Sequence, residues 1–293
     1  MRVTEQMRYD GVSNNLSQLS ARQAKAAQEA QTGLRVNLPS DDPIAAAELA
    51  RLRASQGQIT ARRGTITAVR GDAELAESSL QQASDLLATA KDLAVQGGNG
   101  SLGAPERATL AQQVKDLKDQ LVGVANTQGT TGYLFGGSAT QNRPFANSGA
   151  FSGNDDDHVV DIGNSTPTAV NASGSRAFTA AAGGRDVFAD LDALYTALSS
   201  NDTAAISATL GNLDASRSQI TNAQATMGIT INKLDASDSV LDAVDLQTSR
   251  RTEEVGSADP SKAYATLVQL NNSLQQSVAV SKTILDLAAF KQF

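Results

Sequence analysis

The chain has 293 residues, 40% hydrophobic but only 4% aromatic, with no cysteine, no tryptophan and a single histidine. Apolar content that is mostly Ala, Leu, Val and Ile suits long helices packed closely through small side chains, and the missing thiols exclude disulfide scaffolds, thiolate catalysis and zinc–thiolate or iron–sulfur sites. A net charge of −7 and a pI near 4.8 argue against a nucleic-acid partner, which wants a basic face.

From the N-terminus, Val12, Leu16, Leu19, Ala26 and Ala30 form one apolar stripe, interrupted by Gln23. Met1 to Leu19 lacks the unbroken apolar core of a cleaved secretory signal. No stretch approaches the roughly 18 consecutive apolar residues that span a bilayer, so membrane insertion is not expected. Proline then punctuates the chain at 39, 43, 105, 144, 167 and 260. A proline inside a helix costs about 3 kcal/mol, so long helices are permitted between Pro43 and Pro105 and between Pro167 and Pro260. Asp42-Pro43 and Asp259-Pro260 each read as an N-cap followed by proline in the first turn, and Ala104-Pro105-Glu106 as a further helix start.

Heptad spacing fills the gaps. Ile59, Ile66, Val69, Ala73, Ala76, Leu80, Ala83, Leu87, Ala90 and Ala94 recur in steps of three and four after the first, and Leu110, Val114, Leu117, Leu121 and Val124 follow suit. A third series, Ile206, Leu210, Leu213, Ile220, Met227, Ile231, Leu234 and Leu241, keeps the period with polar Arg217, Gln224 and Asp238 at intervening seam positions. This pattern predicts an antiparallel bundle of three helices, the first two joined by a turn at Gly97 to Gly103. At the far end Leu267, Leu270, Leu274, Val278, Ile284, Leu285 and Leu287 form a second terminal stripe. Neither terminal stripe has a partner nearby in sequence.

The segment from Gly129 to Asp190 differs in chemistry. It lacks lysine, crowds Gly, Asn, Ser, Asp and Thr together, and holds six of the aromatics: Tyr133, Phe135, Phe145, Phe151, Phe178 and Phe188. Short alternating runs such as His158 to Ile162 between turn formers predict a small β-rich insertion. The expected fold class is therefore mainly α, a long antiparallel coiled-coil rod formed by both chain ends with a small β-rich domain in the middle.

Candidate chemical motifs dissolve on inspection. Gly98 to Gly103 matches the dinucleotide-binding glycine pattern, yet a heptad helix precedes it where a strand is required. Asp155-Asp156-Asp157-His158 lacks the spaced acids, central glycine and closing glutamate of a calcium loop and reads as a solvated turn. Gly136-Gly137 reads as the point where the chain leaves the second helix. Arg250-Arg251 beside Glu253-Glu254 reads as a solvated helix face. No catalytic, metal or cofactor constellation survives, so neither an enzyme nor a cofactor is expected.

Thr32-Gly33-Leu34-Arg35-Val36-Asn37-Leu38-Pro39-Ser40-Asp41-Asp42-Pro43-Ile44-Ala45-Ala46 resembles the flagellin superfamily and, more closely, its hook–filament junction members, the third hook-associated proteins. Three further stretches carry the likeness: Met1 to Met7, Gly132-Tyr133-Leu134-Phe135-Gly136-Gly137, and the Gln- and Leu-rich tail ending Ile284-Leu285-Asp286-Leu287; Ala288 to Phe293 depart from it. The resemblance implies a subunit exported through the type III apparatus without a cleaved signal into the extracellular flagellum. It would assemble with copies of itself, with a neighbouring hook-associated junction protein and with flagellin, after release from a cytoplasmic export chaperone on its C-terminal helix.

On that reading residues 1–45 form an N-terminal assembly helix of the inner tube, 46–130 a first arm, and 131–190 a β-rich outer domain. Residues 191–255 form the return arm and 256–293 the C-terminal assembly helix. The expected self-assembly residues are Val12, Leu16, Leu19, Leu34, Leu267, Leu270, Leu274, Val278, Ile284, Leu285 and Leu287. The family motif rests on Gly33, Arg35, Asn37, Pro39, Ser40, Asp41, Asp42 and Pro43. Ordering two long terminal helices costs more conformational entropy than one antiparallel pair returns, so the ends are expected to find full cover only among many copies. A short flagellin, or an adhesin using the aromatic middle segment, are the competing readings.

Overall fold

The computed structural model describes residues 5–162 and 167–289, apart from the side chains of residues 5, 6, 8, 182 and 284–289. In chain order the helices are α1 (Glu5–Thr32), α2 (Pro43–Gly97), α3 (Ala104–Ala125), the short α4 (Gly174–Phe178), α5 (Val187–Ser199), α6 (Thr203–Gly256) and α7 (Pro260–Ala289). Strands β1 (Val159–Val160) and β2 (Thr168–Ala169) pair antiparallel, Val159 opposite Ala169. Aspartate caps start four of the helices, as the amides Ala45 N, Ala189 N, Ala205 N and Ser261 N donate to the carboxylates of Asp42, Asp186, Asp202 and Asp259 at 2.9–3.0 Å. The chain divides into two compact units, one from Ile59 to Ala243 and one built from the residues up to Gln58 and from Val244 onward.

The Ile59–Ala243 unit, the bundle, is packed as its heptads dictate. Every α2 seam residue from Ile59 to Ala94 named above is buried, as are Leu110, Val114, Leu121 and Val124 of α3, with Leu117 partly covered. In α6 the large buried residues recur every seventh position, at Ile206, Leu213, Ile220, Met227, Leu234 and Leu241. The second seam position differs from the sequence expectation. Thr209, Ser216, Ala223, Thr230 and Ser237 occupy it, whereas Arg217, Gln224 and Asp238 stand one residue further round, at the rim, and Leu210 and Ile231 are only partly covered. The hydroxyls are satisfied in place: Thr209 and Thr230 donate to the carbonyls of Ile206 (2.7 Å) and Thr226 (3.1 Å). Ser216 donates to Asp190 (2.6 Å) and Ser237 to the Ile162 carbonyl. Small polar groups thus let α6 approach its neighbours closely without leaving an unpaired atom.

Rim charges fix the register of α2 against α6. Arg63 pairs with Asp238 and Asp242 (both 2.9 Å), Arg70 with Asp235 (3.1 Å) and Lys91 with Asp214 (2.7 Å), and Gln224 donates to Glu77 (2.7 Å). The α6 partner falls in number as the α2 residue rises, so the two run antiparallel. A sharp turn at Asn201, with φ of 57°, separates α5 from α6. Buried Arg107 holds the neighbouring loop ends, donating to the carbonyls of Gly97 (2.7 Å), Leu102 (2.8 Å) and Asn99 (2.8 Å) and to the Asn201 side chain.

Regular strand is brief in the inserted segment, and aromatic packing and side-chain clasps hold it. Phe135, Phe145 and Phe188 surround Phe178 with ring centroids 5.3, 5.5 and 6.0 Å away, inside the same core as α2, α3, α5 and α6. Ile162 and Val170 join a second cluster with Ile59, Ile66, Val69, Leu234 and Leu241. Asp72 of α2 accepts from the amides of Thr130 (2.6 Å) and Thr131 (3.2 Å).

Candidate assembly surface

The terminal unit is built around the loop between α1 and α2. Gly33, at φ +68°, ends α1, its amide donating back to Glu29 O at 3.0 Å. The chain then pairs with the segment after α6: Arg35 N donates to Gly256 O (2.8 Å) and Ala258 N to Gly33 O (2.9 Å). The Arg35 guanidinium bridges Asp42 (3.0 Å) and Val255 O (2.8 Å). Asp41 accepts from the amides of Asn37 (3.1 Å) and Leu38 (2.8 Å) and pairs with Lys25 of α1 (2.9 Å). Loop amides, that of Leu38 foremost and then Lys25, hold the Asp41 carboxyl below its ordinary range. The Ala45 amide and then Arg35 do the same for Asp42, while Asp41 raises Lys25. Beneath this network Val36 is buried with Ala45, Leu49 and Val255, an anchor that sequence reading passed over because a lone valine in a polar loop carries no period. Pro39 and Ser40 are exposed at the bend, and Asn37 donates to Leu34 O at 2.8 Å.

From this clasp α1 runs antiparallel against α7, and Gln23 donates to Asn271 at 2.7 Å where the apolar stripe of α1 is interrupted. Both predicted stripes share the seam, but it is half covered. Val12, Leu16, Leu19, Leu267, Leu270 and Leu274 are all partly buried, and among the described side chains of α1 and α7 only Ala26 and Ala263 are buried. Val278 is 49% exposed, and Leu34 meets Ser257 through its backbone while its side chain faces solvent. Ile284, Leu285 and Leu287 fall on α7, but their side chains lie outside the described residues, as do Met1 to Thr4 of the opening motif. A second exposed apolar pair on α7, Tyr264 and Val268, was not singled out from the sequence. Its four-residue spacing from Tyr264 to Val268 is the signal that could have found it.

Chemistry offers little else. Among the described residues no group of three or more His, Asp or Glu side chains could hold a metal. The acidic run is a pinned turn: Arg176 pairs with Asp155 (3.1 Å) and Asp157 (2.6 Å), and Ser173 also donates to Asp155. The Ser173 hydroxyl, then Arg176, hold the Asp155 carboxyl below its usual range. No described helix is long and apolar enough to cross a membrane.

The chain thus combines a pair of half-covered terminal helices in one unit with a heptad bundle in the other. The family model of the bacterial flagellin N-terminal helical region matches residues 3–140. Along its whole length the chain is 27% identical to flagellar hook-associated protein 3 of Salmonella typhimurium, covering 99% of that protein. Solved structures share the fold. A flagellar hook-associated protein of Vibrio parahaemolyticus superposes with a TM-score of 0.68 at 23% identity, over 74% of this chain and all of that one. The flagellar junction protein FlgL of Legionella pneumophila gives 0.50 at 16% identity, over 73% and 99%. Residues 3–140 thus resemble the flagellin N-terminal helical region, and the chain along its whole length is similar to flagellar hook-associated proteins 3.

Proposed function

We propose that this chain is a structural subunit of the bacterial flagellum that forms the junction layer between hook and filament, polymerising through α1 and α7. The half-covered α1–α7 seam carries the reading. A chain that buries the bundle leucines Leu80, Leu87, Leu121, Leu213 and Leu234 leaves its terminal leucines partly wet, a pattern that fits helices completed by neighbouring copies. Net charge supports crowding. The terminal unit has 12 basic and 11 acidic residues, so copies packed through it meet almost no net repulsion, whereas the bundle has 12 and 20.

On this reading the self-assembly contacts are Val12, Leu16, Leu19, Leu34, Leu267, Leu270, Leu274, Val278, Ile284, Leu285 and Leu287. The partners are copies of itself, an adjoining hook-associated protein and flagellin. An export chaperone covers the C-terminal helix until secretion, which proceeds by type III export without a cleaved signal, to the extracellular flagellum. No catalytic role is assigned. Leu19→Asp and Leu274→Asp test the reading: both variants keep the helical content and unfolding midpoint of the bundle and fail to restore filaments in cells lacking the parent chain. Normal incorporation of either variant overturns the assembly surface. Growth of long filaments by the purified chain alone overturns the junction role in favour of a filament subunit.

A further inference from the structure

The last carbonyls of α6 and the turn that ends α1 are each left short of hydrogen-bond partners by helix geometry. Here each supplies the other. Val255 O and Gly256 O accept from the side chain and backbone of Arg35, and Gly33 O accepts from Ala258 N, so residues 33–35 and 255–258 complete one another across more than 200 positions of sequence. Asp42 ties this exchange to the start of α2 by holding Arg35 and capping Ala45 N, and Asp41 ties it to α1 through Lys25. The apolar support below is small: Val36, Ala45, Leu49 and Val255, with the Gly256 backbone against Leu49, where a Cβ would stand 3.2 Å from Leu49 Cδ2. Neither segment has enough burial to hold its place alone, and a shared polar network of this kind is satisfied as a whole or not at all.

We propose that the Arg35–Asp42 clasp makes the ordering of the two chain ends a single event, so that the segment after α1 and the segment after α6 lock and release together. A subunit then offers both terminal helices to its neighbours or neither. This goes beyond the contacts those helices make, since it concerns what the chain does before any neighbour arrives.

Asp41 is the lever for the test, because its recorded partners, Lys25, Asn37 and Leu38, all lie on the N-terminal side. Amide hydrogen exchange is followed by NMR on the full chain and on Asp41→Asn. The expected result is faster exchange at both Arg35 and Ala258 by a common factor of about ten, the scale of one lost charge-assisted hydrogen bond. Lys25→Gln, which removes only the exposed partner of Asp41, shifts the same two amides in the same direction by less, and it carries the test if Asp41→Asn fails to fold. A rise confined to residues 37–41 with Ala258 unchanged overturns the coupling. Unprotected Arg35 and Ala258 amides in the parent chain overturn the clasp itself.

Discussion

Two helix pairings in this chain use the same apolar residue types to different ends. In the bundle, α2 and α6 bury Leu80 and Leu234 completely. In the terminal unit, α1 and α7 leave every described leucine of their seam partly wet and Val268 57% exposed. The difference lies in the number of neighbours. Each bundle seam is closed by third parties, such as α3, α5 and the aromatic insertion, whereas within the terminal unit the described residues of α1 pack mainly against α7. A heptad stripe therefore announces that a helix packs and says nothing about how many partners it needs.

The largest expected effect lies in the aromatic centre of the bundle. Phe178→Ala removes a fully buried ring held by Phe135, Phe145 and Phe188, and should cost about 3–5 kcal/mol in chemical denaturation of the purified chain. Leu274→Ala in the partly covered seam should cost less, about 1–2 kcal/mol in the same assay, because its site is incompletely covered in the lone chain. Equal costs at the two positions would erase the distinction between the units.

Arg107→Met comes next. It strips the buried guanidinium from the carbonyls of Gly97, Asn99 and Leu102 and should destabilise the bundle by about 2–3 kcal/mol. A loss below about 0.5 kcal/mol would show that water replaces the guanidinium.

Arg107 also marks where sequence reading stops. The α2 seam was legible residue by residue because apolar residues recur from Ile66 to Ala94 in steps of three and four. A single arginine in the first turn of α3 reads as surface, and only the crowd of loop carbonyls beside it explains its burial. The α6 seam misled for a related reason. Partly covered Leu210 and Ile231 drew the apparent phase one residue forward, while the true second position is held by Thr209, Ser216, Thr230 and Ser237, which look polar until their hydroxyl partners are seen. Of the candidate assembly surface, the two apolar stripes could be read in advance. The clasp could not, since it joins residues 33–42 to 255–258 through backbone groups that carry no side-chain signal.

A smaller effect separates the inner and outer faces of α2. Gly64 and Gly71 lie in the helix interior, exposed, and a methyl at either would meet nothing within 4 Å. Gly64→Ala and Gly71→Ala should each stabilise the purified chain by about 0.5–1 kcal/mol, read as a raised urea midpoint. Ala73, on the buried face of the same helix, should show the opposite sign when enlarged to Leu. Destabilisation by the glycine changes would mean that this face is already in contact with something in the isolated chain.

Acid and alkali distinguish the two units most gently, because the groups concerned are solvent-screened. Asp41 and Asp155 both titrate below the ordinary aspartate value of 3.8. Each therefore contributes stability that is complete above 3.8 and lost as pH falls through its lowered folded value. Lys25 titrates above its ordinary 10.5, so its pair with Asp41 is complete below 10.5 and lost as pH rises through the raised value. The partner of Asp155 is Arg176, itself raised above the ordinary arginine value, so the bundle staple has an acid edge and holds through the alkaline range that opens the clasp. Carboxyl carbon shifts of Asp41 and Asp155 should give midpoints below 3.8 for both residues. Above the lysine range only the Asp41 resonance should move again, as Lys25 loses its proton. A second movement at Asp155, or none at Asp41, would break the contrast between the two units.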